Sequence, residues 1–139
     1  MLSVTVVQEG SGLDPAANRA RLGDLVPADS DLVVLPEAFA RDFGEAGSDV
    51  GPYAEPPDGP FGTELSSVAA ARNTTVVAGM FETSGDPRRP YNTLLVRGAA
   101  DAAYRKIHLY DSFGYQESKA LHPGRSHRRW SRSAVSRSG

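Results

Sequence analysis

Residues 2–8 (Leu-Ser-Val-Thr-Val-Val-Gln) are β-branched and roughly alternating, which predicts a first strand. Asp14-Pro15 supplies a helix-start signal, with proline in the first turn. Ala16, Ala17, Ala20, Leu22 and Leu25 carry the helix on until Pro27 stops it. Asp31-Leu-Val-Val-Leu, closed by Pro36, has the pattern of a strand buried on both faces, and Glu37 follows its carboxyl end directly. Residues 40–60 are rich in Gly, Pro, Asp and Glu. They are expected to form a long surface loop anchored by Tyr53 and Phe61, with a short helix near 41–46. Loops of this length inside compact domains are usually functional lids or disordered segments. A helix is predicted from Thr63 to Arg72, where Ala69, Ala70 and Ala71 suit close packing on a sheet. Strands are predicted from Asn73 through Thr83, from Tyr91 to Arg97 and from Ala102 to Ile107, with turns at Gly85-Asp86-Pro87 and Gly98-Ala99.

This order, β-α-β-α-β-β-β, begins as an α/β unit and continues with consecutive strands. It predicts a mixed sheet with helices on one face, whose other face needs a partner sheet or a partner chain. A length of 139 residues fits one ordinary domain, and 40% apolar content is enough for a core. Apolar runs are only a few residues long, well short of the about 20 needed to span a membrane, so no membrane partner is expected. The N-terminus lacks a basic region and a cleavage site, so no signal peptide is expected and a cytoplasmic location is the default. The sequence holds no cysteine, which excludes disulfides and thiolate metal sites. Its formal charge of −2 conceals an uneven distribution. Residues 125–139 carry five arginines and no acid, leaving a formal −7 on residues 1–124.

Glu37 sits where ligands bind in open α/β sheets, at the carboxyl end of a buried strand. Burial there would raise its pKa and ready it as a general base; the alternative is an acid capping a helix N-terminus. Alternation places Tyr104, Lys106 and His108 on one strand face, with Arg105 and Ile107 on the other. Lys106 could support a developing oxyanion or protect a strand edge from aggregation. Lysine occurs only twice, against thirteen arginines. Glu117, in the loop after this strand, either pairs with Lys106 or faces water. His108 and His122 lack ligand-like spacing, so metal binding is not expected.

Leu-Pro-Glu-Ala-Phe (35–39), the Gly79 strand, Tyr-Asn-Thr (91–93), Tyr-Arg-Lys-Ile-His-Leu-Tyr-Asp (104–111), Glu117-Ser118 and Pro123-Gly124 resemble the nitrilase superfamily of carbon–nitrogen hydrolases. The order and spacing fit over residues 2–124, about half of that family's domain. The resemblance implies an α-β-β-α sandwich and a Glu-Lys-Cys triad. Glu37 matches the base, Lys106 the lysine that stabilises the tetrahedral intermediate, and Glu117 the second acid that orients the lysine. His-Leu-Tyr-Asp after the lysine looks like the amidase branches rather than true nitrilases. The implied partner is a small-molecule carboxamide, hydrolysed without cofactor or metal, and family members often form homo-oligomers.

The family's cysteine lies downstream of Pro-Gly, and there this sequence departs from the pattern. The expected organisation is therefore residues 1–124 as the N-terminal part of a carbon–nitrogen hydrolase domain, a truncated α-β-β-α sandwich, and 125–139 as an aberrant, disordered Arg/Ser-rich tail. Such a copy is expected to be inactive and, with an uncovered sheet, poorly soluble. The tail has two readings: a phosphate- or RNA-binding arm with Trp130 as a stacking contact, or translation in a wrong frame past Gly124. The abrupt boundary at a family landmark favours the second, so nucleic acid is not an expected partner. A non-catalytic binding or assembly module is the alternative function.

Overall fold

A computed structural model describes residues 1–125 and the backbone of Trp130–Ser131. The strands are β1 (Val4–Val6), β2 (Leu32–Val34), β3 (Thr75–Glu82), β4 (Tyr91–Arg97), β5 (Asp101–Arg105), β6 (Asp111–Ser112), β7 (Tyr115–Gln116) and β8 (Trp130–Ser131). The helices are α1 (Pro15–Ala20), α2 (Leu22–Leu25), α3 (Pro60–Arg72) and α4 (Glu117–Ala120). One mixed sheet has the order β1-β2-β3-β4-β5-β8, parallel from β1 to β3 and antiparallel from β3 onward; β6 and β7 form a separate hairpin. The tail's expected disorder lies outside the described residues, except at Trp130–Ser131, which pair with β5. Among the described residues no helix is long and apolar enough to cross a membrane.

The predicted alternation decides the layers. Val33, Val76, Ala78, Met80 and Leu95 share one sheet face and pack with Leu22, Val26, Phe61, Leu65, Val68 and Ala69 into the main core. Asp14 caps α1 as its sequence suggests, accepting from the Ala16 and Ala17 N–H groups. The single helix expected up to Pro27 is divided at Arg21, whose N–H bonds the Asn18 carbonyl in a tightened turn. The α3 helix starts at Pro60 rather than Thr63, bringing Phe61 into the core, and ends on Asn73 in left-handed conformation.

The opposite sheet face is only half covered. Cross-strand register places Val4, Val6, Val34, Val77, Leu94, Val96 and Tyr104 together on it. Consequently β2 is not buried on both faces: Val33 is fully buried, whereas Leu32 and Val34 are half-buried. Cover exists at one end, where Ala38, Val50, Phe81 and Leu121 form a second cluster with Phe43, Ala54 and Leu109. The short helix expected near 41–46 is absent. Gly44 and Gly47 take φ of 76° and 86°, and the Asp42 carboxylate accepts from the Gly44 N–H, fixing a turn there. A single 3-10 turn at Gly51–Tyr53 is the loop's helical element.

Candidate active site

The site lies at the covered end of the open face. Beyond β2 the chain runs onto β3 at Gly79, whose N–H donates to the Pro36 carbonyl and whose carbonyl accepts from Ala40. A side chain at Gly79 would bring its Cβ within 2.4 Å of the Ala38 nitrogen, so only glycine lets the two backbones touch. Ala38 bends the chain with a φ of 52°, and this turn lifts Glu37 over the sheet. No helix follows Glu37, so it caps none. Its expected burial is not met either, since the side chain is 56% exposed. Hydrogen bonding holds it instead: Oε1 accepts from Asn92 Nδ2 at 2.6 Å and from Lys106 Nζ at 3.2 Å.

Lys106 stands one residue past β5. Its N–H donates to the Asn92 carbonyl, and its own carbonyl accepts from the Gly124 N–H at 2.9 Å. Alternation directs its side chain to the open face, as the sequence pattern predicts for Tyr104 and Lys106. Arg105 turns the other way, onto buried Glu82, which also accepts from Thr93 Oγ1 at 2.7 Å. Arg105 stacks over the Tyr91 ring at 4.2 Å. The bond to Glu82 holds the Arg105 pKa above its ordinary value, against the opposing effect of burial. This clamp ties β5 to β3 beneath the site.

Glu117 faces Lys106 rather than water. It is 4% exposed, its Oε1 accepts from Lys106 Nζ at 3.1 Å, and its Oε2 accepts from the Tyr110 N–H at 2.6 Å. Burial acts to lower the Lys106 pKa, but hydrogen bonds to Glu117 and Glu37 outweigh it, leaving the pKa raised. The ammonium therefore stays charged at neutral pH between two carboxylates. All three residues singled out in the sequence thus meet around one nitrogen. They line an open pocket of about 350 Å³ whose wall includes Phe43, Tyr110 and Tyr115.

The pattern of the chain did not reveal those aromatic residues, nor the bond from Asn92 to Glu37. An asparagine inside an otherwise largely apolar strand was the available signal for the latter, because asparagine is depleted in strands. Arg41 also went unnoticed; it is 6% exposed, lies 4.0 Å over the Tyr53 ring and donates to the Asp42 and Phe43 carbonyls, shaping the loop behind Phe43. His108 is exposed, and His122 packs edge-on against Tyr91. Among the described residues no cluster of His, Cys, Asp or Glu could hold a metal ion.

The mixed sheet, with helices on one face and a Glu–Lys–Glu cluster lining a pocket at its covered end, makes this an α/β protein with a charged pocket. The carbon–nitrogen hydrolase family model matches residues 3–137, and the chain belongs to that family. The match continues past Gly124, where the composition changes. A hydrolase of Mycobacterium tuberculosis is 41% identical over 133 residues, covering 89% of this chain and 46% of the relative. Human omega-amidase is 36% identical over 103 residues, covering 68% of this chain and 36% of the relative. A carbon–nitrogen hydrolase superfamily protein of Xanthomonas campestris superposes with a TM-score of 0.74 at 29% identity, over 89% of this chain and 46% of that one. An amidase from Nesterenkonia shares the fold at a TM-score of 0.67 and 24% identity, over 89% of this chain and 48% of its own. The chain spans about half the length of these proteins.

Proposed function

We propose that the Glu37–Lys106–Glu117 cluster is the acid–base and electrostatic part of a site that hydrolyses a small carboxamide to the acid and ammonia. The observation that carries this reading is the single ammonium held between two carboxylates, one buried and one half-exposed and facing the pocket. In this chemistry a thiolate attacks the amide carbon, and the carbonyl electrons move onto oxygen. Lys106, held charged between the two carboxylates, stabilises that oxyanion. Glu37 passes the thiol proton to the departing nitrogen, which leaves as ammonia as the thioester forms. Glu37 then takes a proton from water, which attacks the thioester and regenerates the thiol. Glu117 keeps Lys106 oriented and does not exchange protons. Omega-amidase among the relatives favours the amide class.

The thiol is not part of this sequence, which has no cysteine. The isolated chain is therefore expected to release no ammonia from carboxamides, and clear turnover by pure protein would refute the need for a thiol. The site itself is tested by joining residues 1–124 to the C-terminal half of the Nesterenkonia amidase, a protein with an active-site cysteine. The chimera should hydrolyse carboxamides that the parent hydrolyses, and E37Q or K106M should lower kcat by about a thousandfold. A folded chimera whose activity ignores both substitutions would exclude this assignment.

A further inference from the structure

Asn92 has no part in the proton transfers above, yet it bonds both residues, the Glu37 carboxylate through its side chain and the Lys106 backbone through its carbonyl. Its side chain is the shortest contact of the Glu37 carboxylate, and its backbone carbonyl receives the Lys106 N–H at 2.8 Å. It is itself firmly placed, 5% exposed and paired with Phe81 in the β3–β4 ladder. Glu37 is the opposite case, a long side chain more than half exposed. Freezing such a chain costs more rotamer entropy than an exposed ion pair returns, so Lys106 alone would leave Glu37 mobile. A short hydrogen bond from a buried amide to a carboxylate is charge-assisted and supplies what is lacking. Both donors meet at Oε1, and among the described residues no hydrogen bond reaches Oε2.

We propose that Asn92 is the positioning residue of this site, locking the Glu37 carboxylate against Lys106 and leaving Oε2 as the oxygen free to accept a proton. The proposal rests on Glu37 acting as the base. It also explains why an asparagine occupies the interior of a strand otherwise rich in leucine and valine, where local propensity argues against it.

The two lysines make a direct test possible with the full chain. Limited acylation with N-hydroxysuccinimidyl acetate, read by peptide mass spectrometry, gives the labelling ratio of Lys106 to the exposed Lys119. The ratio should be well below that of urea-denatured protein and should rise about threefold or more in Asn92→Leu, as Glu37 swings away from the ammonium. In a Glu37→Gln background the same substitution should add nothing, because its effect runs through the carboxylate. Asn18→Leu, at an equally buried asparagine outside the site, should leave the ratio unchanged. If Asn92→Leu labels like denatured protein, Asn92→Ser, too short to reach Glu37, replaces it. An unchanged ratio in a folded Asn92 variant, or a rise that persists with Glu37→Gln, overturns the proposal. The readout is acylation rather than turnover, so an inactive chimera with the expected ratios would defeat the functional reading and leave the positioning role intact.

Discussion

Lys106 gathers a charge-balancing problem into one side chain. Its side chain is one-third exposed, its ammonium lies between Glu37 and Glu117, and among the described residues it is the only cation lining the pocket. Losing it would strand the Glu117 carboxylate, which is buried, with only the Tyr110 N–H as a hydrogen-bond donor among the described residues. K106M is therefore expected to cost about 2 kcal/mol at pH 8. The pH dependence of that loss has a definite sign. The folded pKa lies above the ordinary lysine value, so the folded state holds the proton more tightly than the unfolded chain. The stabilisation is complete below the unfolded pKa near about 10.4 and is lost as pH rises through the folded one. Urea midpoints of wild type and K106M should thus differ by a constant amount from pH 7 to 9 and converge above pH 10.5 or so. A gap that widens in that range would contradict the assigned pair.

At the scale of elements, the site depends on one backbone crossing. The Pro36–Ala38 segment lies directly on β3 at Gly79, and the left-handed turn at Ala38 sets the direction of Glu37. Gly79→Ala must separate the two backbones, since backbone atoms rather than a flexible side chain oppose the new methyl group. A cost of about 3 kcal/mol is expected, visible as a drop of roughly 1–2 M in the urea midpoint. Lys106 acylation should rise with it. The β4 strand was legible to the residue, because turn-forming residues bracket an apolar run that carries the strand-favouring Tyr91, Thr93 and Val96. The β5 strand was legible as a further strand, although it runs from Asp101 to Arg105 rather than from Ala102 to Ile107. The loop after Glu37 was not legible. Its course is set by two positive-φ glycines, an Asp42 turn and the Arg41–Tyr53 stack, none of which leaves a periodic trace. Glu37 and Lys106 are 69 residues apart, and a family resemblance rather than periodicity associated them before the fold did. Glu37's exposure is not legible from its place at a strand end, because that place says nothing about which segments cover it.

For the molecule as a whole, the two sheet faces differ sharply. The helical face buries Val33, Val76, Ala78 and Leu95 completely, while the other leaves Val6 73%, Tyr104 54%, Val4 48% and Leu94 36% exposed. Register places these four side chains on the same face, so they form a patch rather than scattered surface positions. Strand β1 borders it and pairs only with β2 among the described residues, adding a row of free backbone donors and acceptors. Monomeric proteins seldom expose an apolar sheet face beside an open edge, because both favour association. The isolated chain is therefore expected to self-associate at micromolar concentration, giving sedimentation profiles that shift with dilution. Val6→Glu at the exposed edge of the patch and Leu94→Glu further along it place charge on the same face, so they should move the population toward monomer while costing no more than about 0.5 kcal/mol of stability. Glu37, Lys106 and Glu117 lie at the covered end, and their Lys106 acylation ratio should survive both changes. A wild-type chain that remains monomeric at every concentration and melts in one sharp transition would show that this face needs no cover.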